Sequence, residues 1–326
     1  MSNPFENLLP SFLHFATLRG SEFVLLVGIM MFFGSVGGRL FQRLRIPQVV
    51  GYIVVGILIG VSGFAVLGKE TIAALNPIST ISLSLIGFLV GAELKIGVIK
   101  KYGKQFVGIL LGESITPFFV VGILTGAATY LFTKNAVMAV STGLLLGAIC
   151  AATAPAATTD VLKEYRTKGP LTTTILGIVA MDDAVALILY AVASSIAAPL
   201  LGGKTISLLA QLGAIAYDIF GSIALGLAAG FVLSHIIAHT MDDDGRVLGF
   251  SLGILLLCTG IAELLQLDNI LAAMSIGFYM ANFAHKKTRA MFRLVERFTP
   301  PIYVLFFVTG GAKLNIWIIT PFFAVI

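Results

Sequence analysis

Apolar residues fill long runs near 21–42, 47–67, 78–98, 105–132, 136–160, 171–199, 206–238, 246–266, 268–284 and 300–320. Each run is close to or above the roughly 17–25 residues that carry a helix across the hydrocarbon core of a bilayer, the ninth being the shortest. Polar residues collect in the short turns between them. The pattern predicts an all-α, polytopic membrane protein whose transmembrane domain, 21–320, holds about ten helices in one bundle. Residues 1–20 contain Pro4, Glu6, Pro10 and His14 and lack a basic start followed by an apolar run. They read as an interfacial segment and not as a cleaved signal peptide.

Composition sharpens this picture. Of 326 residues, 58% are hydrophobic and 11% charged, against about 25% charged in a typical soluble domain. So little charge cannot cover a water-facing surface, and lipid takes the place of water around most of the chain. A formal charge of +5 is compatible with nucleic-acid binding, but the basic residues sit in short loops between apolar runs, and no nucleic-acid partner is expected. Number the loops alternately from the N-terminus. One set holds Arg39, Arg43, Arg45, Lys95, Lys100, Lys101, Lys104, Lys163, Arg166, Lys168, Arg246, Lys286, Lys287, Arg289, Arg293 and Arg297. The other holds only Arg19, Lys69, Lys134, Lys204 and Lys313. The positive-inside rule makes the first set cytoplasmic and places the N-terminus outside. Cys150 and Cys258 both fall inside apolar runs and imply no disulfide.

A shift of about 220 residues lays Gly91-Ala92-Glu93-Leu94-Lys95-Ile96 on Gly311-Ala312-Lys313-Leu314-Asn315-Ile316. The same shift brings the first run onto the eighth and the second onto the ninth. The third helix runs inward and the tenth outward, so the copies have opposite topology, a plan that recurs in secondary transporters. Partners for helices four to six would begin near residue 325. The expectation is that three more helices follow, or come from a separate chain.

Buried charge is the main functional signal. Asp182 and Asp183 lie within Gly177-Ile178-Val179-Ala180-Met181-Asp182-Asp183-Ala184-Val185, in the middle of the sixth run. On one continuous helix they are about 100° apart, so both cannot face lipid. A charge at the bilayer centre costs at least about 2.5–3.5 kcal/mol, and such groups face a cavity or a partner. A basic neighbour would neutralise them, but no lysine or arginine lies mid-membrane. Desolvation and mutual repulsion favour a proton on the pair, and a bound cation favours its loss, which is the chemistry of proton–cation competition. In the fifth run, Cys150-Ala151-Ala152-Thr153-Ala154-Pro155 marks an interruption, because Pro155 removes a backbone donor and frees carbonyls. It reads as a simple kink or as part of an ion site. Glu113, near Pro117, reads as a lining of the cytoplasmic approach or as a hydrogen-bonded glutamate. Asp218 and Glu263 read as solvated or hydrogen-bonded helix-end residues, and Glu93 with Lys95 as an interfacial pair. Asp242-Asp243-Asp244 reads as a solvated turn. His14, His235, His239 and His285 read as too scattered for a metal site. No nucleophile–base arrangement or phosphate loop supports an enzyme.

The interrupted fifth helix followed by Asp182-Asp183 resembles the monovalent cation:proton antiporter-2 family, which includes Kef-like and NapA-like proteins. So do Arg45-Ile46-Pro47-Gln48-Val49-Val50-Gly51-Tyr52 on the second helix and Leu305-Phe306-Phe307-Val308-Thr309-Gly310-Gly311 on the tenth. The resemblance covers roughly residues 40–320. It implies an inverted-repeat antiporter fold with an ion-site core at 105–199, scaffold and dimer helices at 21–98 and 246–320, and a linker helix at 206–238. It implies that Asp183 binds cation or proton in turn, that Asp182 pairs with a lysine on a later helix, and that Thr153 lies where two broken helices cross. Pro155 and Glu113 fall on the implied ion pathway. The substrates would be protons and Na+, Li+ or K+, with no cofactor and no bound metal beyond the monovalent cation. The partners would be the lipid bilayer and a second copy in a homodimer, in a bacterial or archaeal inner membrane. The family has about thirteen helices. Lys313 is a poor match for the pairing lysine, because the orientation above puts it at the outer end of an outward-running helix.

Two other readings stay open: a sodium-coupled symporter of similar fold, and a non-transporting, ion-sensing subunit. The orientation itself is open to cysteine labelling of intact cells. A cysteine at Lys204 should react from outside, and efficient outside labelling at Lys101 or Lys287 would contradict the topology.

Overall fold

Prolines and a few polar side chains decide where the apolar runs become helices. The computed structural model describes residues 20–64, 74–94, 96–179, 181–202, 207–240, 244–284 and 288–318, which leaves residues 1–19 of the N-terminal segment outside it. Among the described residues the regular structure is helical: α1 (Gly20–Arg43), α2 (Gln48–Ile59), α3 (Asn76–Glu93), α4 (Ile96–Thr133), α5 (Ala136–Ile149) and α6 (Pro155–Glu164). There follow α7 (Pro170–Val179), α8 (Asp182–Leu200), α9 (Leu208–Thr240), α10 (Asp244–Leu264), α11 (Asn269–Asn282) and α12 (Thr288–Lys313). Asn135 starts α5 by accepting from the Val137 and Met138 amides at 3.0 and 3.2 Å. Asp268 starts α11 by accepting from the Leu271 amide at 2.5 Å. Both satisfy donors that a helix start leaves bare.

Four described stretches are long and apolar enough to cross a membrane: Phe23–Arg43, Lys104–Thr133, Leu208–His239 and Asp244–Leu264. Gln48–Ile59, Ala136–Ile149 and Val185–Leu200 are apolar but shorter. Interruption explains part of this. The fifth run divides into α5 and α6, as Pro155 predicts. The sixth divides too, into α7 and α8, and that division corrects the expectation of one helix with the aspartates at its middle. Asp182 is the first residue of α8, and the Met181 amide closes a turn on the Ile178 carbonyl at 2.8 Å. Aspartate is a mediocre helix-interior residue and is favoured at the positive N-terminal end of a helix.

The chain packs as two compact units. The first comprises Met1–Ile86, Asp160–Thr167 and Ala290–Val325, and the second Gly87–Thr159 with Lys168–Arg289. In the first unit, α1 meets α2 where Gly37 and Gly51 bring the backbones together, and α12 meets α2 where an added Cβ on Gly311 would strike the Ile53 carbonyl. Glu164, at the end of α6, accepts from the Gln48 amide at 2.9 Å and so caps α2, whose N-cap Pro47 supplies no side-chain hydrogen bond. In the second unit, α4 and α5 approach along Gly122, Gly126, Gly143 and Gly147. The helices α10 and α11, read from sequence as scaffold, both pack on α9 in this unit.

The 220-residue repeat reappears in the packing of each unit. Helix α3 ends at Glu93 and α12 at Lys313, and adding 220 to the first number gives the second. In the second unit α3 packs on α11, where an added Cβ on Gly91 would strike the Met274 carbonyl. In the first unit the equivalent Gly311 strikes α2 at Ile53, so the third helix of each copy packs on the second helix of the other. The chain beyond each helix end is held in the same way. Asn282 Nδ2 donates to the Leu94 carbonyl at 2.7 Å and its Oδ1 accepts from the Ile96 amide at 2.8 Å. Ser62 Oγ donates to the Leu314 carbonyl at 2.5 Å and accepts from the Ile316 amide at 2.9 Å. Each of Leu94, Ile96 and Asn282 is matched at the 220-residue offset by Leu314, Ile316 and Ser62. One polar side chain thus satisfies the acceptor and donor that the helix end leaves open.

Removing either side chain should leave both backbone groups underpaired, at about 1–3 kcal/mol for each buried group. Asn282→Ala and Ser62→Ala should each lower the thermal unfolding midpoint of the detergent-solubilised protein by several degrees. Midpoints equal to the unmodified protein's in both variants would show that the clamps carry no stability.

Candidate ion site

The site begins with a local failure of the helix. Ahead of Pro155 a helical backbone is disfavoured by a steric clash, and proline supplies no amide. Helix α5 therefore ends at Ile149, with Cys150 still donating to the Leu146 carbonyl at 3.0 Å. Proline is well suited to open a helix, because its missing amide would be unpaired there in any case. Between Cys150 and Pro155 the backbone lies outside both helices: the Ala151 amide turns back to the Ala148 carbonyl at 3.3 Å, the Ala154 carbonyl accepts from the Thr158 amide at 3.2 Å, and Thr153 sits between them.

Its amide finds a carboxylate. Thr153 N–H donates to Asp182 Oδ2 at 2.7 Å, and the Thr153 hydroxyl donates to the same oxygen in a short second bond. Asp182 is 0% exposed. Its carboxylate thus receives two donors from one residue at the break of the fifth run, while its own backbone opens α8 at the break of the sixth. Burial works against the charged form of a carboxylate, and hydrogen-bond donors with the positive end of a helix work for it.

The other predicted residues fall around this junction. Pro155 is the first residue of α6. Glu113 is half-buried on α4 and lies within electrostatic reach of Asp182. Asp183 follows Asp182 in the first turn of α8, and its side chain lies outside the described residues. The resemblance pairs Asp182 with a lysine on a later helix; the hydrogen bonds to Asp182 given above come from Thr153. Lys313 is exposed and donates to Asn76 Oδ1 at 2.8 Å. Lys95, of the pair with Glu93, and Asp242 and Asp243 lie outside the described residues. Asp218 is hydrogen-bonded, as read, with its Oδ1 accepting from the Asp268 amide at 2.6 Å.

Asp268 is a residue that the sequence reading passed over. Besides capping α11, it lines a cavity of about 240 Å³ together with Ala152, Ala186, Leu187 and Tyr190. Ala152 adjoins Thr153, and Ala186 lies one turn beyond Asp182, so this space reaches both sides of the junction. The signal was available: an aspartate directly before the apolar run 269–282 is a capping pattern.

Comparison with known proteins places this geometry in a family. Residues 28–326 match the family described as "Sodium/hydrogen exchanger, transmembrane". The Na(+)/H(+) antiporter of Enterococcus hirae is 28% identical over 305 residues, covering 90% of this chain and 74% of that protein. The high-affinity Na(+)/H(+) antiporter NhaS3 of Synechocystis is 26% identical over 344 residues, covering 91% of this chain and 70% of that protein. A solved structure of the sodium proton antiporter MjNhaP1 of Methanocaldococcus jannaschii aligns with a TM-score of 0.65 at 19% identity, covering 92% of this chain and 72% of that one, a likeness of fold. With a family match across nearly the whole chain and an antiporter fold around two broken helices, this polytopic membrane protein belongs to the sodium/hydrogen exchanger family.

Proposed function

We propose that the Thr153–Asp182 junction is the place where a monovalent cation and protons compete in this cation/proton antiporter, with Asp183 as the group that binds them in turn. The observation that carries this reading is the pair of hydrogen bonds from Thr153 to the buried Asp182. They bring a backbone stretch that lies between two helices beside a carboxylate at a helix start. Half-helix ends and free carbonyls are the usual means by which transporters hold ions at membrane depth.

A transport cycle follows from elementary charge balance. With no cation bound, a buried carboxylate lowers its energy by taking a proton. A cation reaching Asp183 and the carbonyls around Thr153 favours the ionised form, and the proton leaves. Release of the cation on the other side of the membrane restores the proton. Asp182 is held by Thr153 and acts as the fixed neighbour whose charge shapes the affinity of Asp183. Sodium is the first cation to test, because the relatives from Enterococcus hirae and Synechocystis are named for it. The cavity beside Asp268 offers the cation a route to the junction. We place the N-terminus outside the membrane, a reading that rests on the distribution of Lys and Arg.

Asparagine keeps the volume of aspartate but cannot release a proton. Asp183→Asn in proteoliposomes should therefore abolish sodium-dependent proton exchange, at least about a hundredfold if the group is essential. Asp182→Asn should weaken exchange or change its charge stoichiometry. Wild-type exchange by Asp183→Asn at several pH values would refute the assignment.

A further inference from the structure

We infer that His235 and His239, on the last turns of α9, form a two-imidazole site for one divalent transition-metal ion of the Zn2+ class, separate from the transport site. The sequence reading set all four histidines aside as scattered. His14 and His285 lie outside the described residues, whereas His235 and His239 come together. Four residues apart on one helix, the two side chains share a face. Both are exposed, and their rings lie side by side with centroids 4.8 Å apart at an interplanar angle of 54°.

Three features make this a ligand pair and not merely two neighbouring rings. The first is separation. A metal held by a ring nitrogen at about 2.0–2.1 Å lies about 3.2 Å from the ring centre, so two rings on one ion sit about 4.7–5.2 Å apart at ordinary bite angles. The observed separation falls in that window. The second is the tautomer. His239 Nδ1 lies 2.8 Å from the His235 carbonyl oxygen, which can only accept. Nδ1 therefore carries the hydrogen, and Nε2 presents its lone pair. A backbone carbonyl holding the far nitrogen of a ligating histidine is a recurring support in metal sites, where it fixes the ring and raises its basicity. The third is position. The negative end of the α9 dipole favours a cation at this end of the helix.

The chemistry of the donors also names the ligand. Imidazole nitrogen suits zinc, copper and nickel, whereas sodium, lithium and potassium take oxygen donors. The pair is thus no station for the transported cation. With two protein ligands, water completes the coordination shell, and affinity stays modest. Bound metal would tie the last two turns of α9 together.

The test uses the full chain in detergent micelles, purified on a tag that contains no histidine. Zinc titration by calorimetry should show one ion bound in roughly the micromolar range. His235→Ala and His239→Ala should each weaken binding by about tenfold or more. His14→Ala and His285→Ala should leave it unchanged. His239→Asn keeps an amide donor for the His235 carbonyl but has no second ring nitrogen, so it should lose zinc while the end of α9 stays folded. Amide exchange over 232–240 should slow on adding zinc to the unmodified protein and stay constant in His239→Asn. Absence of zinc binding at about 1 mM, or single alanine variants at 235 and 239 that bind like the parent, would overturn the proposal. So would equal loss in the His14 and His285 variants.

Discussion

A carboxylate with no exposed surface has to be satisfied from within the protein, and much of the arrangement around Asp182 can be understood as the answer to that demand. In an unbroken bundle every backbone amide is committed to its own helix. A free amide exists at membrane depth only where a helix is interrupted, and the fifth run is interrupted just ahead of Pro155. Thr153 then offers two donors, one from the main chain and one from the side chain, to a single oxygen of Asp182. Hydrogen bonds to a charged group contribute about 1.5–3 kcal/mol each, comparable with the cost of placing an aspartate at the bilayer centre on insertion scales. The two helix breaks therefore serve one another: one frees the donors, and the other sets the carboxylate at a helix start.

The rest of the fold shows how a chain with few charges keeps its helix ends in order. Close approach is given over to glycine, as at Gly91 against Met274 and Gly311 against Ile53. Each approach is followed by a helix end whose bare carbonyl and amide are taken up by one side chain, Asn282 in one unit and Ser62 in the other. The two clamps use different residue types for the same pair of hydrogen bonds. That divergence is reasonable, because an amide and a hydroxyl can each donate once and accept once. What the repeat preserves is a donor–acceptor requirement imposed by the backbone.

How much of this could be read in the sequence depends on whether a residue type is diagnostic alone. The helical, membrane-embedded character follows from the long apolar runs and scarce charge. Pro155 pointed to the first break, although Pro117 and Pro300-Pro301 lie inside continuous helices and proline alone does not decide the matter. Gly91-Ala92 and Gly311-Ala312 announced the repeat by identity. The break between α7 and α8 was hidden, because no polar residue interrupts 175–181 and the only signal was the pair Asp182-Asp183, equally readable as a mid-helix charge. The clamp was hidden because Ser62 and Asn282 do not look alike. Asp268 was hidden in plain view, as a capping residue whose place beside a cavity depends on packing between helices. The partnership of Thr153 with Asp182 lay between two readings: the resemblance named both residues, yet it assigned Asp182 to a lysine, and only the three-dimensional arrangement brought the threonine to it.

The most direct test of the junction is to alter the hydroxyl of Thr153 while leaving its backbone amide in place. Sodium-dependent proton exchange should be measured in proteoliposomes across a range of sodium concentrations for Thr153→Ser and Thr153→Val. Serine keeps the donor and should stay close to the parent protein. Valine keeps the shape but removes one bond to a charged group, worth about 1.5–3 kcal/mol, so half-maximal exchange should require sodium roughly ten- to a hundredfold higher. Exchange by Thr153→Val with the same sodium dependence and pH profile as the parent would contradict the account.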